Sequence, residues 1–213
     1  MEKCYMLFRN DKVYIKSSKS SRVAEYTLMD AIAYPNVPLY FNIFNNEKVI
    51  KDIKLFIRKN TQINSLMQRI FAKKVFLLIP DDVTNVTDIE RRAFDEFAKM
   101  LFGGRTVILG SECAFVAPFE EKEHICISRT CRMMILSYTK DKNIFKQKFM
   151  ENKEYSIDEL HAAIVELYGS TEGIPKIYLN GVNLSPYSDL GIIIDELELI
   201  NNFSSILDTV KIR

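Results

Sequence analysis

The stretch from Val75 to Leu109 constrains the fold more than any other part of the chain. Val75, Phe76, Leu77, Leu78 and Ile79 form an unbroken apolar run of strand length, closed by Pro80. That is the pattern of a strand covered on both faces of a parallel sheet. Thr87 and Glu90 have capping-box spacing, in which hydroxyl and carboxylate each take one free amide proton of a helix's first turn. Ile89, Ala93, Phe94, Phe97 and Leu101 then recur at helical spacing, with Glu90, Arg91, Arg92, Asp95, Glu96 and Lys99 on the wetter side. Gly103 stands where a helix stop favours glycine, and Thr106 to Leu109 reads as a second apolar strand. The three elements make a βαβ unit, expected to cross over right-handed.

The rest of the chain supplies enough material for an α/β protein. With 213 residues, 47% of them hydrophobic, it can bury a core as one large domain or two small ones. A net charge of +1, from 29 basic and 28 acidic residues, gives no global attraction to nucleic acid or to acidic membranes. The basic cluster Lys16, Lys19 and Arg22 reads as solvated surface. Charges at Glu2, Lys3, Arg9, Asp11 and Lys12 leave too short an apolar stretch for a signal peptide, and no run reaches membrane-spanning length. Cys4, Cys113, Cys126 and Cys131 form no regular framework and read as reduced thiols of a cytoplasmic protein.

In chain order, Cys4 to Phe8 and Lys12 to Lys16 read as a strand pair joined by Arg9, Asn10 and Asp11, with Arg22 to Leu28 as a third strand. The apolar segment Leu39 to Phe44 precedes a helix capped by Asn45 or Asn46. In that helix Val49, Ile50, Ile53, Phe56 and Ile57 form one face and Lys48, Lys51, Lys54 and Arg58 the other. The apolar face reads as core; a peripheral membrane contact is the alternative use of such a helix. Ile63 to Ala72 reads as a short helix. Glu112 to Ala117 reads as a short helix or turn, and Pro118 with Phe119 to Glu123 as a hinge.

Beyond the hinge, His124 to Ser128 and Met133 to Tyr138 read as a strand pair, and the lysine-rich stretch Thr139 to Lys153 as a surface helix. Ser156 and Glu159 form a second capping box, with Tyr155 and Leu160 placed as its staple, Ile157, Leu160, Ile164, Leu167 and Tyr168 as a buried face and Gly169 as the stop. Lys176 to Leu179 reads as a strand, Tyr187 to Ile200 as a helix and Ile206 to Ile212 as a closing strand.

One family resemblance rests on the central unit. Pro80-Asp-Asp-Val-Thr84, Ile89-Glu-Arg-Arg-Ala93, Gly103-Gly-Arg-Thr-Val-Ile-Leu109 and Ser111-Glu-Cys-Ala-Phe115 resemble the MreB group of bacterial actin-like proteins. Order and spacing match over about forty residues, the span of one βαβ unit. The resemblance implies an actin-like, ribonuclease-H-like core of two small α/β lobes, residues 1–123 and 124–213, with no room for the outer subdomains that MreB carries. It also implies three nucleotide loops, and here they are depleted. Where the family has Asp-Leu-Gly-Thr in the first phosphate turn, this chain has Arg9-Asn-Asp11, without glycine. Where it has Asp-Ile-Gly-Gly-Gly-Thr-Thr, this chain has Cys126-Ile-Ser-Arg-Thr-Cys131, in which Arg129 can pair with an anion. Of the glycines that receive adenosine, only Gly181 remains, in Asn180-Gly-Val-Asn183. Bare backbone is what lets amides close on phosphate oxygens, so bulkier residues fill space that a nucleotide must enter.

Other chemistries lack their residues. No Walker loop, Gly-x-Ser-x-Gly elbow or Gly-x-Gly-x-x-Gly occurs. His124, Cys126 and Cys131 offer three ligands at most and no paired Cys-x-x-Cys, which excludes an ordinary zinc site. The acid pairs Asp81 with Asp82 and Glu120 with Glu121 read as solvated turn residues, and no strand carries the converging acids of a ribonuclease-H-type nuclease. Without tryptophan or interleaved aromatic and basic residues, no platform for single-stranded nucleic acid is expected.

The reading is an actin-like protein without catalytic, nucleotide-binding or metal residues and without a cofactor. It acts through a protein partner or self-association as a cytoskeletal, cell-shape or assembly scaffold. Two alternatives stand beside it. One is an active ATPase with divergent loops, binding ATP and magnesium through Asp11 and Gly181 and orienting water with Glu112. The other is an unrelated α/β protein-binding module.

Overall fold

The computed structural model of the chain describes residues 2–9, 12–27, 46–61, 74–83, 88–102 and 107–209. They fall into two compact units, Met1–Gly110 and Ser111–Arg213.

In the first unit, β1 (Cys4–Phe8), β2 (Lys12–Ser17) and β3 (Val23–Thr27) are followed by α1 (Glu47–Asn60), β4 (Val75–Ile79), α2 (Asp88–Phe102) and β5 (Val107–Ser111). The sheet order is β3-β2-β1-β4-β5. β1 runs antiparallel to β2 and parallel to β4, with Cys4 opposite Ser17 and Val75. Every residue of β4 is buried, as its unbroken apolar run requires. Asn46 caps α1 by accepting from the Val49 amide at 3.2 Å. Val49, Ile50, Ile53 and Ile57 then enter one core cluster with Met6, Ile15 and Leu77. The apolar face of α1 is therefore packed against protein and is not presented to a bilayer. α2 adds Phe94 and Phe97, whose rings meet Phe8 edge-on at 6.0 and 5.5 Å.

The second unit repeats this plan with no visible repeat in sequence. β6 (Glu123–Arg129), β7 (Met133–Lys140) and β8 (Asn143–Glu151) lead to α3 (Ile157–Tyr168), β9 (Ile177–Gly181), β10 (Ile192–Ile194) and α4 (Glu196–Thr209). The sheet order is β10-β9-β6-β7-β8. Numbered from its own first strand, each sheet runs 3-2-1-4-5, with a leading antiparallel meander and a parallel first and fourth strand. This is the two-lobed, actin-like core that the central unit implies; a chance match to one βαβ pattern gives no reason for the second lobe. Among the described residues there is no further sheet. None of the described helices is long and apolar enough to cross a membrane.

Ser156 and Glu159 form the expected capping box at the start of α3, and Gly169 ends the helix at φ 90°. Leu160, Ile164 and Leu167 pack with Ile125, Leu136 and Leu179, and Tyr155 joins the same cluster. Ile157, expected in that face, is 40% exposed, because it is the first helical residue and precedes the turn that meets the sheet.

Three expectations about elements give way. Thr139 to Lys153 is not a helix but the end of β7 and all of β8, turned by Asp141 and Lys142 at φ 48° and 62°. Two consecutive left-handed residues make a tight hairpin, and lysines at alternate positions had hidden the strand's period of two. Tyr187 to Ile200 is not one helix but the last residue of a short 3-10 turn, Ser185–Tyr187, then β10, and only then the start of α4. The β-branched triplet Ile192 to Ile194 prefers an extended backbone, and Asp195 caps α4 by accepting from the Glu198 amide at 2.7 Å. Ile206, placed in a closing strand, is instead a buried residue of α4, with Leu199, Ile200, Phe203 and Leu207 at helical spacing. The unit boundary also falls earlier than Glu123, after Gly110, since the 3-10 turn Glu112–Ala114 lies against β6, β7 and β8. The readings at Leu39 to Phe44, Ile63 to Ala72, Thr87 and Gly103 lie outside the described residues.

Removing the cap hydroxyl in Ser156→Ala leaves the Glu159 amide without its acceptor. The expected cost is about 1 kcal/mol, read as a lower urea midpoint with an unchanged slope.

Candidate functional site

The positions where nucleotide loops would lie in the second unit are the β6–β7 turn and the residues after β9. Thr130 organises the first. Its amide donates to Met133 O at 3.0 Å, and its Oγ1 accepts from the amides of Arg132 at 3.2 Å and Met133 at 3.3 Å. Two N–H groups of the turn, of the kind a phosphate-binding loop turns outward, are taken by the chain's own hydroxyl.

Arg129 fills the space beside it. Only 8% exposed, it donates from Nε to Asn152 Oδ1 at 3.0 Å, from Nη1 to Asn183 O at 3.3 Å, and pairs through Nη2 with Glu154 Oε1 at 2.9 Å. Asn152 in turn donates to Cys131 O at 3.0 Å, tying the turn to the same group. Glu154 accepts a second bond from Tyr187 Oη at 3.0 Å. Its carboxyl is held below its ordinary value, first by Arg129 and then by Tyr187. The anion that Arg129 meets is therefore a residue of its own chain.

Gly181 closes the other side at φ 119°, a conformation that L side chains rarely adopt. A Cβ there would lie 2.1 Å from Arg129 O, and the Val182 amide donates to the same oxygen at 3.2 Å. This glycine is required by close packing of β9 on β6.

Glu112 is 2% exposed in its 3-10 turn, where Oε2 accepts from Asn180 Nδ2 at 2.7 Å. His124 Nε2 donates to Cys113 O at 2.8 Å, and its Nδ1 is buried with no hydrogen-bond partner. Burial holds the imidazole below its ordinary value of 6.5, and Lys142 acts in the same sense; the Cys113 carbonyl and Glu121 oppose them. Lys142 reaches across to donate to the carbonyls of Ala117, Pro118 and Glu121 at 3.1, 2.8 and 3.2 Å.

Of the residues singled out in sequence, Glu112 and Gly181 thus sit in one unit, each engaged by its neighbours, whereas Asp11 lies outside the described residues. Asp81 and Asp82 follow β4 in a turn, as expected, but are 1% and 2% exposed and not solvated. Among the described residues, no three His, Cys, Asp or Glu side chains are placed to hold a metal ion. Thr130, Asn152, Glu154 and Tyr187 carried no motif. The partners of Arg129 stand 23 and 54 residues away, beyond any local signal.

No family model matches the chain, and no curated protein matches it in sequence. Among solved structures it is similar to the ethanolamine utilization protein EutJ from Carboxydothermus hydrogenoformans, with 9% identity, 97% of this chain and 89% of that one covered, and a TM-score of 0.53. It also resembles MreB5 of Spiroplasma citri bound to ADP, with 13% identity, 79% of this chain covered and a TM-score of 0.45. The chain spans 57% of the length of that MreB5 structure. The likeness is one of fold.

Gly181→Ala is expected to lower stability by at least about 2 kcal/mol in urea denaturation, since the new Cβ meets backbone and not a movable side chain. A histidine that resists protonation only when folded binds fewer protons than its unfolded counterpart. Stability therefore falls as pH drops below 6.5 and is insensitive to this group above it. Urea midpoints measured across that range should show the fall, and His124→Gln should reduce it.

Proposed function

We propose that this chain, actin-like in fold, has given up nucleotide chemistry and works through protein contacts, as a cytoskeletal or assembly scaffold component. One observation carries the reading. The β6–β7 turn, where the resembling family offers open amides to phosphate, has those amides bound by Thr130 Oγ1 while the Arg129 guanidinium occupies the adjoining space. A triphosphate would have to displace Arg129 from Glu154, Asn152 and Asn183 together, and would still find a side-chain hydroxyl on the turn amides. The residues present do not fit ATP and magnesium there, and no catalytic step is assigned to Glu112. Its carboxylate is engaged by Asn180 in a buried turn, the role of a packing residue.

Isothermal titration of the chain with magnesium ATP tests the proposal. No binding in the micromolar range is expected, and no phosphate release. Micromolar binding with turnover would overturn it in favour of an ATPase with divergent loops, in which case Glu112→Ala should abolish release without unfolding the chain.

A further inference from the structure

We propose that the outer edge of β8 is a self-association surface, taking the same strand of a second copy of this chain in antiparallel pairing about Phe149. β8 pairs with β7 on one side, and no strand borders its other edge among the described residues. Edge strands are usually guarded by charges projecting from them or by a bulge. Here the two lysines are drawn back: Lys146 Nζ donates to Leu167 O at 3.3 Å and Lys148 pairs with Glu166, both on α3. The register shift opposite Tyr138 and Thr139 disturbs only the start of the strand, around Phe145, and leaves the strand regular from Lys146 to Glu151. Phe149, in the middle of that regular run, is 45% exposed.

Symmetry then selects the register. A two-fold axis perpendicular to a sheet must pass through a residue that faces its own copy, because facing residues share one side of the sheet. An axis at Gln147 sets Lys146 against the copy's Lys148 and draws the bulge into the pairing. An axis at Lys148 sets like charges directly opposite. An axis at Met150 sets the Phe149 ring against the copy's Glu151 carboxylate. An axis at Phe149 avoids all three. Phe149 meets its copy, Lys148 meets Met150, and the Gln147 amide faces the Glu151 carboxylate, so that every facing pair is compatible. The occupant chosen by this charge pattern is the strand itself.

The inference rests on the protein-contact reading above for its purpose, and the two fail separately, since nucleotide titration does not read β8. Sedimentation equilibrium of the full chain should show a concentration-dependent dimer that Phe149→Glu abolishes and Phe145→Glu leaves intact, both substitutions being at exposed positions. In a Cys131→Ser background, Phe149→Cys should give an oxidised, covalently linked dimer. Facing Cα atoms of an antiparallel pair lie about 4.5–5.5 Å apart, within disulfide reach. Phe145→Cys should not link, its copy being roughly 27 Å away along the strands. A monomer at all concentrations, a dimer indifferent to Phe149→Glu, or equal linking through Phe145→Cys would each overturn the proposal. So would pairing of β8 with a different protein's strand in place of its own copy.

Discussion

The parallel pairing of each unit's first and fourth strands is the constraint from which the rest follows. Parallel neighbours cannot be joined by a tight turn, so the chain must leave the sheet and return through a crossover. In the first unit that excursion contains α1, and in the second it contains α3. The paired strands then sit in mid-sheet, between a meander on one side and a fifth strand on the other. Coverage of both faces demands apolar residues at every position, which β1 and β4 supply without exception. The third strand of each meander escapes this demand. β3 and β8 are only half-buried and carry charged residues along their length.

The second unit meets the same constraint with an unusual face. On the α3 side, Ile125, Ile127, Leu136 and Leu179 form an ordinary apolar cluster. The alternate residues on the other side include His124, Cys126, Ser128, Ser137, Thr139 and Asn180, all 2% exposed or less. Polar groups removed from water are costly unless paired, and apart from His124 Nδ1 and Thr139 Oγ1 this face supplies partners from within. Gln147 Nε2 donates to Ser137 Oγ at 2.9 Å, Cys126 Sγ lies 3.2 Å from Ser128 Oγ, and Asn180 reaches Glu112. Hydrogen bonds fix direction as well as contact, so this face specifies how the segment 112–121 lies on its sheet. Lys142 reinforces the same segment from the β7–β8 turn, and α4 covers it from outside, with Phe203 edge-on to Phe115 at 4.8 Å.

How much of this was legible in the sequence depends on the range of the interactions. β4, α2, α1 with its Asn46 cap and α3 with its capping box are written in adjacent residues, by period, cap and stop, and could be read directly. β8, β10 and α4 could not. In β8 the lysines that satisfy α3 imitate a solvated helix, and its turn uses Asp141 and Lys142 where Asn-Gly would have announced a hairpin. In α4 the helical period was present at Leu199, Ile200, Phe203 and Leu207, but the stretch was divided between two expected elements. The site was half legible. The loss of glycines and the anion-seeking character of Arg129 were visible, whereas Glu154 as its anion, and Asn180 as the partner of Glu112 68 residues away, belong to tertiary structure alone.

A loop that binds phosphate keeps its amides open, and open amides in a folded protein are satisfied by water or by the ligand. Ligand binding then stabilises the native state in proportion to the logarithm of its excess over Kd, and an empty site forgoes that stabilisation. In this chain Thr130 satisfies the turn amides, and Arg129 draws Asn152, Glu154 and Asn183 onto the ends of β6 and β9. The β6–β7 turn is thereby ordered by groups of the same chain, whose effective concentration is set by the fold and not by the supply of a ligand. These contacts use donors and a cation that a phosphate would otherwise need. Glycine in place of Arg129 would leave the Glu154 carboxylate beside the turn without the guanidinium it now meets, a charge of the same sign as a phosphate. At the edge of the same sheet the parallel core leaves the half-buried third strand facing outward.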